Sequence, residues 1–229
     1  MIKGYSLLAK RPDVSSEFFH EHWRTVHAEH AQKLTTLRRY IQAHRIDAEV
    51  AGFAQAPYEG IAEVWWDDLA AADRVATDPD YLNNAKLDEP NFIDMPRLAN
   101  VLTEERPLQR GSDVMPDQPE VALLLLLKRR PDVALDEFRG RWPAPAEAPL
   151  GSFARVRRVV TSVAILETYA GSDGEPLYDG VAELSWPDRS SYEEDWSEHG
   201  DTVTSAVMAF CDPARTHGHL AEENRVIWP

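Results

Sequence analysis

The chain has 229 residues, of which 43% are hydrophobic and 28% charged, and its formal net charge is −15 at pH 7. This charge disfavours nucleic acid and anionic membrane surfaces as partners, since both attract basic patches. The single cysteine, Cys211, excludes an intrachain disulfide and a cysteine-based metal site.

The first half of the chain reads as alternating strands and helices. Apolar patterning and turn residues predict a strand at 2–10, a helix ending near residue 34, strands at 38–46 and 58–66, a helix at 69–77, a shorter helical piece at 81–88 and a strand at 98–108. Asp13 or Ser15 can cap the first helix. The order βαββαβ is the ferredoxin-like pattern.

The second half repeats the first at an offset of about 119 residues. Five blocks recur in the same order, which predicts a tandem duplication. The matched blocks are 7–14 with 125–133, 19–23 with 138–142, 58–64 with 178–184, 92–94 with 210–212 and 104–105 with 222–223.

These repeats predict an α+β protein with two domains, 1–108 and 120–229, joined by a polar linker at 109–119. A four-stranded sheet with helices on one side leaves its other face to be covered. We therefore expect the two βαββαβ repeats to pack sheet to sheet as a pseudo-dimeric α/β barrel. The sequence leaves open whether this intrachain pseudo-dimer forms a further homodimer.

The first predicted helix holds four of the chain's eight histidines. On a regular helix His20, His27 and His30 share one broad apolar side, whereas Ala28 falls on the opposite side. The sequence therefore predicts a histidine-lined pocket in repeat 1. The predicted buried side consists of Phe19, His20, Trp23, Val26, His27, His30, Ala31 and Leu34.

Several motifs resemble one known family. They are Phe19-x-x-x-Trp23-x-x-x-His27, then residues 58–63 with the pattern Tyr-x-Gly-x-Ala-Glu, and residues 92–94 (Phe-Ile-Asp) leading to two glutamates at 104–105. In this order they are similar to the EthD family of the dimeric α/β-barrel superfamily. The resemblance covers repeat 1 almost throughout and repeat 2 more loosely.

The resemblance implies several functions. The family is similar to cofactor-free isomerases, dehydratases and polyketide-modifying proteins, and its founding context is an accessory role in ether degradation. More distant relatives of the same fold bind haem.

Repeat 2 departs from the pattern at the histidines. Arg139, Ala146 and Pro149 stand where repeat 1 has His20, His27 and His30. Prolines at 143, 145 and 149 should also break a helix there. We therefore expect one working pocket, in repeat 1, with repeat 2 as a structural partner or as a differently shaped second pocket.

His27 is the residue that the resemblance makes functional, as a general acid or base, because imidazole ordinarily titrates near neutral pH. The alternative is a buried histidine bonded to a backbone carbonyl. His20 and His30 are predicted to line the pocket or to assist His27 in catalysis. Partial exposure at the helix edges is the alternative for both.

Four further residues are candidates for binding the substrate. Trp23 has a counterpart in Trp142, which favours core packing over ligand stacking. Tyr40 and His44 share one face of a predicted strand and reach the pocket if that face looks toward the helix. Asp94 is retained by repeat 2, which favours a structural role, but it can also orient a histidine.

We predict no metal site, because His27 and His30 supply two ligands at most. No glycine-rich nucleotide motif occurs, so we expect no cofactor. The histidine face favours an enzyme: a cofactor-independent dehydratase, isomerase or lyase acting on a small, apolar, oxygenated metabolite.

Two alternatives to this function stay open. One is a non-catalytic binding or accessory protein of a catabolic or biosynthetic pathway. The other is a haem-dependent or cofactor-free oxygenase of the same fold. Since no apolar run reaches the roughly 20 residues of a membrane span and residues 1–6 carry no signal-peptide core, we expect no membrane partner and a cytoplasmic location.

Overall fold

The computed structural model describes residues 1–109, 120–170 and 175–228, so most of the predicted linker lies outside the described residues. The fold is mixed α/β, and the chain divides into two units. Unit 1 comprises Met1–Arg45, Pro57–Leu102 and Glu223–Pro229, and unit 2 comprises Ile46–Ala56 and Thr103–Glu222. Within the described ranges, no helix combines the length and the apolar character needed to cross a membrane.

The strands of the described residues are numbered in chain order. They are β1 (Ile2–Leu8), β2 (Arg39–Arg45), β3 (Ala54–Gln55), β4 (Gly60–Trp66), β5 (Ala99–Gln109), β6 (Val121–Leu127), β7 (Arg158–Ala164), β8 (Gly180–Trp186) and β9 (His217–Ile227).

The α-helices are numbered in the same way. They are α1 (Ser16–His22), α2 (Ala28–Ala31), α3 (Leu69–Arg74), α4 (Lys86–Asp88), α5 (Leu135–Arg141), α6 (Ala144–Leu150) and α7 (Arg189–Met208). Single π-helical turns lie at Trp23–His27 and Tyr81–Ala85. Short 3-10 turns lie at Val75–Thr77, Glu89–Asn91, Met95–Arg97 and Leu166–Tyr169.

The strands and helices predicted for repeat 1 are confirmed to within about two residues at most boundaries, with β3 as an added short strand. In unit 1, β4 pairs antiparallel with β1 on one side and β2 on the other, so that Ala62 faces both Ser6 and Gln42 in register. One face of this sheet packs on helical segments around an apolar cluster that includes Phe19 and Phe92.

The histidine helix is the continuous helical stretch formed by α1, the π-helical turn Trp23–His27 and α2. It begins at Ser15, whose hydroxyl accepts a hydrogen bond from the Phe18 amide at 3.0 Å. This confirms one of the two predicted caps; Asp13 instead pairs with Arg11.

The predicted buried side of this helix is wrong in its second half. Val26 is 41% exposed, whereas Ala28, placed on the solvent side, is 7% exposed. The reason is the π-helical turn, which takes more residues per turn than an α-helix and so rotates every later side chain about the axis. The same rotation changes the direction of His30 relative to Trp23, and His30 is half-buried.

Unit 2 has an apolar core that includes Phe138, Trp142 and Val159. The expected helix break occurs after α5, at the Trp142–Pro143 peptide. The expectation that all three prolines break the helix is wrong, since α6 contains residues 145 and 149. A proline in the first turn of a helix is tolerated, because the backbone nitrogen at that position needs no hydrogen-bond partner within the helix. Pro149 lies at the other end of α6, in its last turn.

Candidate functional site

A cavity of about 360 Å³ lies within unit 1, between the β-sheet and the helical segments. Most of its lining is apolar, with side chains such as Leu8, Leu34, Val64 and Leu102. This is the usual character of a small-molecule site, an apolar cleft with a few placed polar groups. The polar lining residues are Tyr5, Ser6, His27, Tyr40, Asp73, Tyr81, Glu89 and Asn100.

His27 lies at the cavity wall and is 8% exposed. Its Nδ1 lies 3.0 Å from Oδ2 of Asp88, and its ring meets the Phe92 ring edge-on at a centroid distance of 5.1 Å. These two contacts fix the orientation of the imidazole. Within the described residues no hydrogen bond involves the other ring nitrogen, Nε2.

Asp88 is a buried carboxylate that accepts three hydrogen bonds. Besides His27, it accepts from His22 Nε2 at 2.8 Å and from Asn91 Nδ2 at 3.0 Å, both through Oδ1. Burial acts to raise the pKa of Asp88, but the hydrogen bonds from His27, Asn91 and His22 outweigh it and hold the pKa well below the ordinary value. Because an ionised carboxylate only accepts, Nδ1 of His27 carries a proton.

Glu89, the next residue, lines the cavity, and its pKa is shifted in the opposite direction. Burial raises the pKa of this carboxyl above its ordinary value, although the Tyr81 hydroxyl donates to Oε1 at 2.9 Å and so acts against the shift. Neighbouring carboxyl groups with pKa values shifted in opposite directions are typical of acid–base sites.

Trp23 and Tyr40 both line the cavity, so the β2 face that carries Tyr40 does look toward the histidine helix. The Trp23 indole donates from Nε1 to the Tyr40 hydroxyl at 2.9 Å. Gln42 lies two residues further along β2 and donates from Nε2 to the Trp23 carbonyl oxygen at 2.6 Å. Trp23 is therefore at once part of the core and part of the cavity wall.

Gly60 sets the position of the Trp23 ring. A Cβ atom on Gly60 would lie 2.8 Å from Cη2 of Trp23 and closer still to Cζ3. The close packing of the core leaves the Trp23 ring no space to move away, so only glycine fits at position 60.

We expect Gly60→Ala to lower the free energy of unfolding by about 1–3 kcal/mol, the cost of overpacking a core, and to displace Trp23. Urea denaturation followed by tryptophan fluorescence measures both effects. The matched control is Gly140→Ala in α5, where an added Cβ meets nothing within 4 Å. Helix propensity predicts no loss of stability there, and an equal loss in both variants would contradict the packing argument.

His20 and His44 lie away from the cavity lining and contact each other, with their Nδ1 atoms 2.9 Å apart. Glu59 lies beside them, 3.4 Å from His20 Nε2 and 3.1 Å from an Arg45 nitrogen. Burial acts to raise the pKa of Glu59, but hydrogen bonds from His20 and Ser16 and the charge of Arg45 outweigh it and lower the pKa to about 2. These groups form a separate polar cluster behind Trp23.

Two further predicted residues also lie outside the cavity lining described for unit 1. His30 has a buried Nδ1 with no hydrogen-bond partner among the described residues. Asp94 holds a turn through its backbone: its amide donates to the Ala9 carbonyl at 2.9 Å, and its own carbonyl accepts from the Arg97 amide. The carboxylate that orients a histidine is Asp88 rather than Asp94.

Sequence reasoning missed Asp88, Glu89 and the role of His22. The available signal was weak, an acidic pair before Pro90 at the end of a predicted helical piece. The chain has 39 acidic residues, so this pair alone could not be selected from the sequence.

Comparison with known proteins agrees with the motifs. Residues 11–96 match the family model of the EthD domain, which confirms the predicted resemblance over that range. No curated protein matches the chain.

Solved structures with the same fold cover almost the whole chain. A Fusobacterium nucleatum protein named as a candidate monooxygenase is 10% identical, with a TM-score of 0.60 over 98% of this chain and 91% of its own. An anthrone oxidase-like protein is 11% identical, with a TM-score of 0.61 over 98% and 92%. A mutant chlorite dismutase from Candidatus Nitrospira defluvii is 9% identical, with a TM-score of 0.54 over 96% and 90%. At these identities the likeness establishes the fold alone.

Proposed function

Since residues 11–96 carry the match to the EthD domain, we propose that unit 1 is the working part of a small-molecule enzyme. Its reaction is cofactor-independent acid–base chemistry on a small, mostly apolar, oxygenated organic molecule. The observation that carries this proposal is the His27–Asp88 pair at the wall of an apolar cavity of about 360 Å³.

The pair supplies a general base. Asp88 accepts the Nδ1 proton of His27, so the lone pair of the neutral ring is on Nε2. The carboxylate also stabilises the imidazolium that forms when Nε2 takes a proton. This division of roles between a base and the group that orients it recurs in unrelated enzymes.

The reaction type that fits is removal of a proton from carbon and its return at another atom, as in an isomerisation or a dehydration. His27 takes the proton, and Glu89 is a further titratable group in the lining that can give or take one. Burial raises the pKa of Glu89 toward neutral pH, where proton transfer by a side chain is most effective. The apolar walls exclude water and so strengthen these interactions.

A cofactor-free oxygenase is the second candidate, favoured by the names of two structural neighbours, the candidate monooxygenase and the anthrone oxidase-like protein. Its first step is the same removal of a proton from carbon. The two candidates differ in whether the resulting carbanion is reprotonated or reacts with dioxygen.

Haem fits the described lining poorly. His27 Nε2 could serve as an axial ligand. However, the lining contains the carboxyl groups of Asp73 and Glu89 and neither lysine nor arginine among the described residues, so nothing there pairs with the two propionates of haem. We derive no step through haem.

We also keep the tandem duplication, with repeats at 1–108 and 120–229, as a proposal. Its support is the five matched sequence blocks and the matched strand positions: β1 and β6 begin 119 residues apart, at Ile2 and Val121, and are equally long. Repeat 2 has Ala146 where repeat 1 has His27, so we assign the chemistry to unit 1.

Proton exchange into anthrone under argon tests the proposal. Anthrone is a neutral fused-ring ketone with an acidic CH₂ group, and we refer to it below as the carbon-acid probe. In deuterated buffer the protein should speed loss of the CH₂ proton signal in NMR spectra. Oxygen uptake in air then separates the oxygenase from the isomerase type.

A protein that binds the probe without speeding exchange would support the non-catalytic, accessory alternative and overturn the enzyme proposal. Bovine serum albumin, which also binds apolar molecules, is the control for exchange caused by binding alone.

A further inference from the structure

The hydroxyl oxygen of Tyr40, in unit 1, already accepts two hydrogen bonds. Trp23 Nε1 donates to it at 2.9 Å and Gln42 Nε2 at 3.3 Å. We propose that Tyr40 is a dedicated hydrogen-bond donor to a neutral carbonyl-type oxygen of the bound molecule. This rests on the proposed function, which assigns the same cavity to an oxygenated organic compound.

The direction of each hydrogen bond follows from its atoms. An indole N–H can only donate, so Tyr40 accepts from Trp23. The Gln42 amide is oriented by the Trp23 carbonyl oxygen, 2.6 Å from Nε2, because that oxygen can only accept. Consistently, Oε1 of Gln42 accepts from Asn224 Nδ2 at 2.7 Å.

The phenolic proton of Tyr40 is left to point elsewhere. Tyr40 is 3% exposed, and the described residues offer no acceptor for this proton. Burial raises the pKa of the phenol above its ordinary value, so the proton stays in place at neutral pH. A buried donor without an acceptor is costly, and an oxygen of the ligand would satisfy it.

A second lining residue also has a buried hydrogen-bond donor without an acceptor. Trp66 lines the cavity, and its indole Nε1 is buried without a hydrogen-bond partner among the described residues. Gly4 lies against this ring, since an added Cβ would be 2.7 Å from Cζ3. The wall therefore contains two donors that lack an acceptor, one from Tyr40 and one from Trp66.

The charge of the lining decides which oxygen fits. Asp73 and Glu89 are the acidic lining residues, and the described lining includes no lysine or arginine. A carboxylate or phosphate ligand would meet like charge and no counter-charge. A neutral ketone, quinone or aldehyde carbonyl accepts a hydrogen bond without adding charge, so the ligand class is a neutral, flat, apolar carbonyl compound.

Binding of 9-fluorenone and fluorene tests this inference separately from the chemistry. The two molecules share one ring skeleton, but fluorenone has a carbonyl where fluorene has CH₂, and fluorenone has no acidic C–H to exchange. We expect wild-type protein to bind fluorenone about tenfold more tightly than fluorene. Tyr40→Phe should remove this preference, whereas His30→Gln, at a residue outside the described cavity lining, should keep it.

Two further measurements cover the case in which Tyr40→Phe folds poorly. In wild-type protein, the infrared C=O band of bound fluorenone should shift to lower wavenumber than in a solvent without hydrogen-bond donors. The same shift should appear with His30→Gln, whose side chain lies outside the described cavity lining.

The inference is overturned if wild-type protein binds neither probe, binds both equally, or leaves the C=O band unshifted. A fluorenone preference that persists in Tyr40→Phe overturns it as well. Failure of proton exchange in the carbon-acid probe, with the fluorenone preference intact, would instead count against the acid–base function alone.

Discussion

Replacing His27 with glutamine is expected to slow anaerobic exchange of the carbon-acid probe by roughly 10²–10⁴-fold, the range that a positioned general base contributes. Glutamine keeps a polar side chain of similar reach, but its amide cannot take a proton at neutral pH. The Asp88 carboxylate can still accept from the amide N–H, so the fold should survive. Exchange rates by NMR and the circular dichroism spectrum measure the two effects.

His30→Gln and His20→Gln are the matched controls for this prediction. Neither residue lines the described cavity, and His20 is engaged with His44 and Glu59. We expect both variants to exchange the probe at nearly the wild-type rate. A loss in either that equals the loss in His27→Gln would show that the whole histidine helix, rather than His27, is needed.

Asp88→Asn is expected to slow the same exchange by about 10²-fold, the lower end of the contribution of acid–base catalysis. An amide is neutral, so it no longer stabilises the imidazolium that forms when Nε2 of His27 takes a proton. It can also donate to Nδ1 and so favour the tautomer that carries its proton on Nε2, which removes the basic lone pair. Binding of fluorenone should change little, which separates this effect from loss of the cavity.

Asp94→Asn is the control for Asp88→Asn. The sequence favoured a structural role for Asp94 and left open that it orients a histidine, and its described hydrogen bonds are those of its backbone. We expect wild-type exchange in this variant. A large loss in Asp94→Asn with none in Asp88→Asn would contradict the assignment of Asp88.

The elements around the site were predictable because their periodicity follows from burial. Strands β1, β2 and β4 alternate or run apolar, and the cap at Ser15 is a local signal. The strand alternation also put Tyr40 and His44 on one face, because side chains two or four residues apart in a strand share a face. Whether that face meets the helix was left open by the sequence.

The helix face was not predictable in its second half. Periodicity assumes 3.6 residues per turn, and the π-helical turn Trp23–His27 breaks that assumption without a distinctive residue in the sequence. The prediction therefore buried Val26 and placed Ala28 on the solvent side. Single π-helical turns are frequent at functional sites, and here the turn ends at His27.

The partner of His27 was not predictable for a different reason. Asp88 lies 61 residues away in sequence, in a segment whose path depends on tertiary packing. The sequence singled out His27, and only the fold brings the Asp88 carboxylate to its ring.

The protonation state of His27 tests the central claim most directly, because it depends on neither substrate nor turnover. Long-range ¹H–¹⁵N correlation spectra of histidine-labelled protein, recorded at a pH where imidazoles are neutral and assigned by comparison with His27→Gln, distinguish the two ring tautomers. The structure predicts a proton on Nδ1, held by Asp88, and an unprotonated Nε2. A proton on Nε2 instead would leave no basic lone pair there and would contradict the assignment of His27 as the general base.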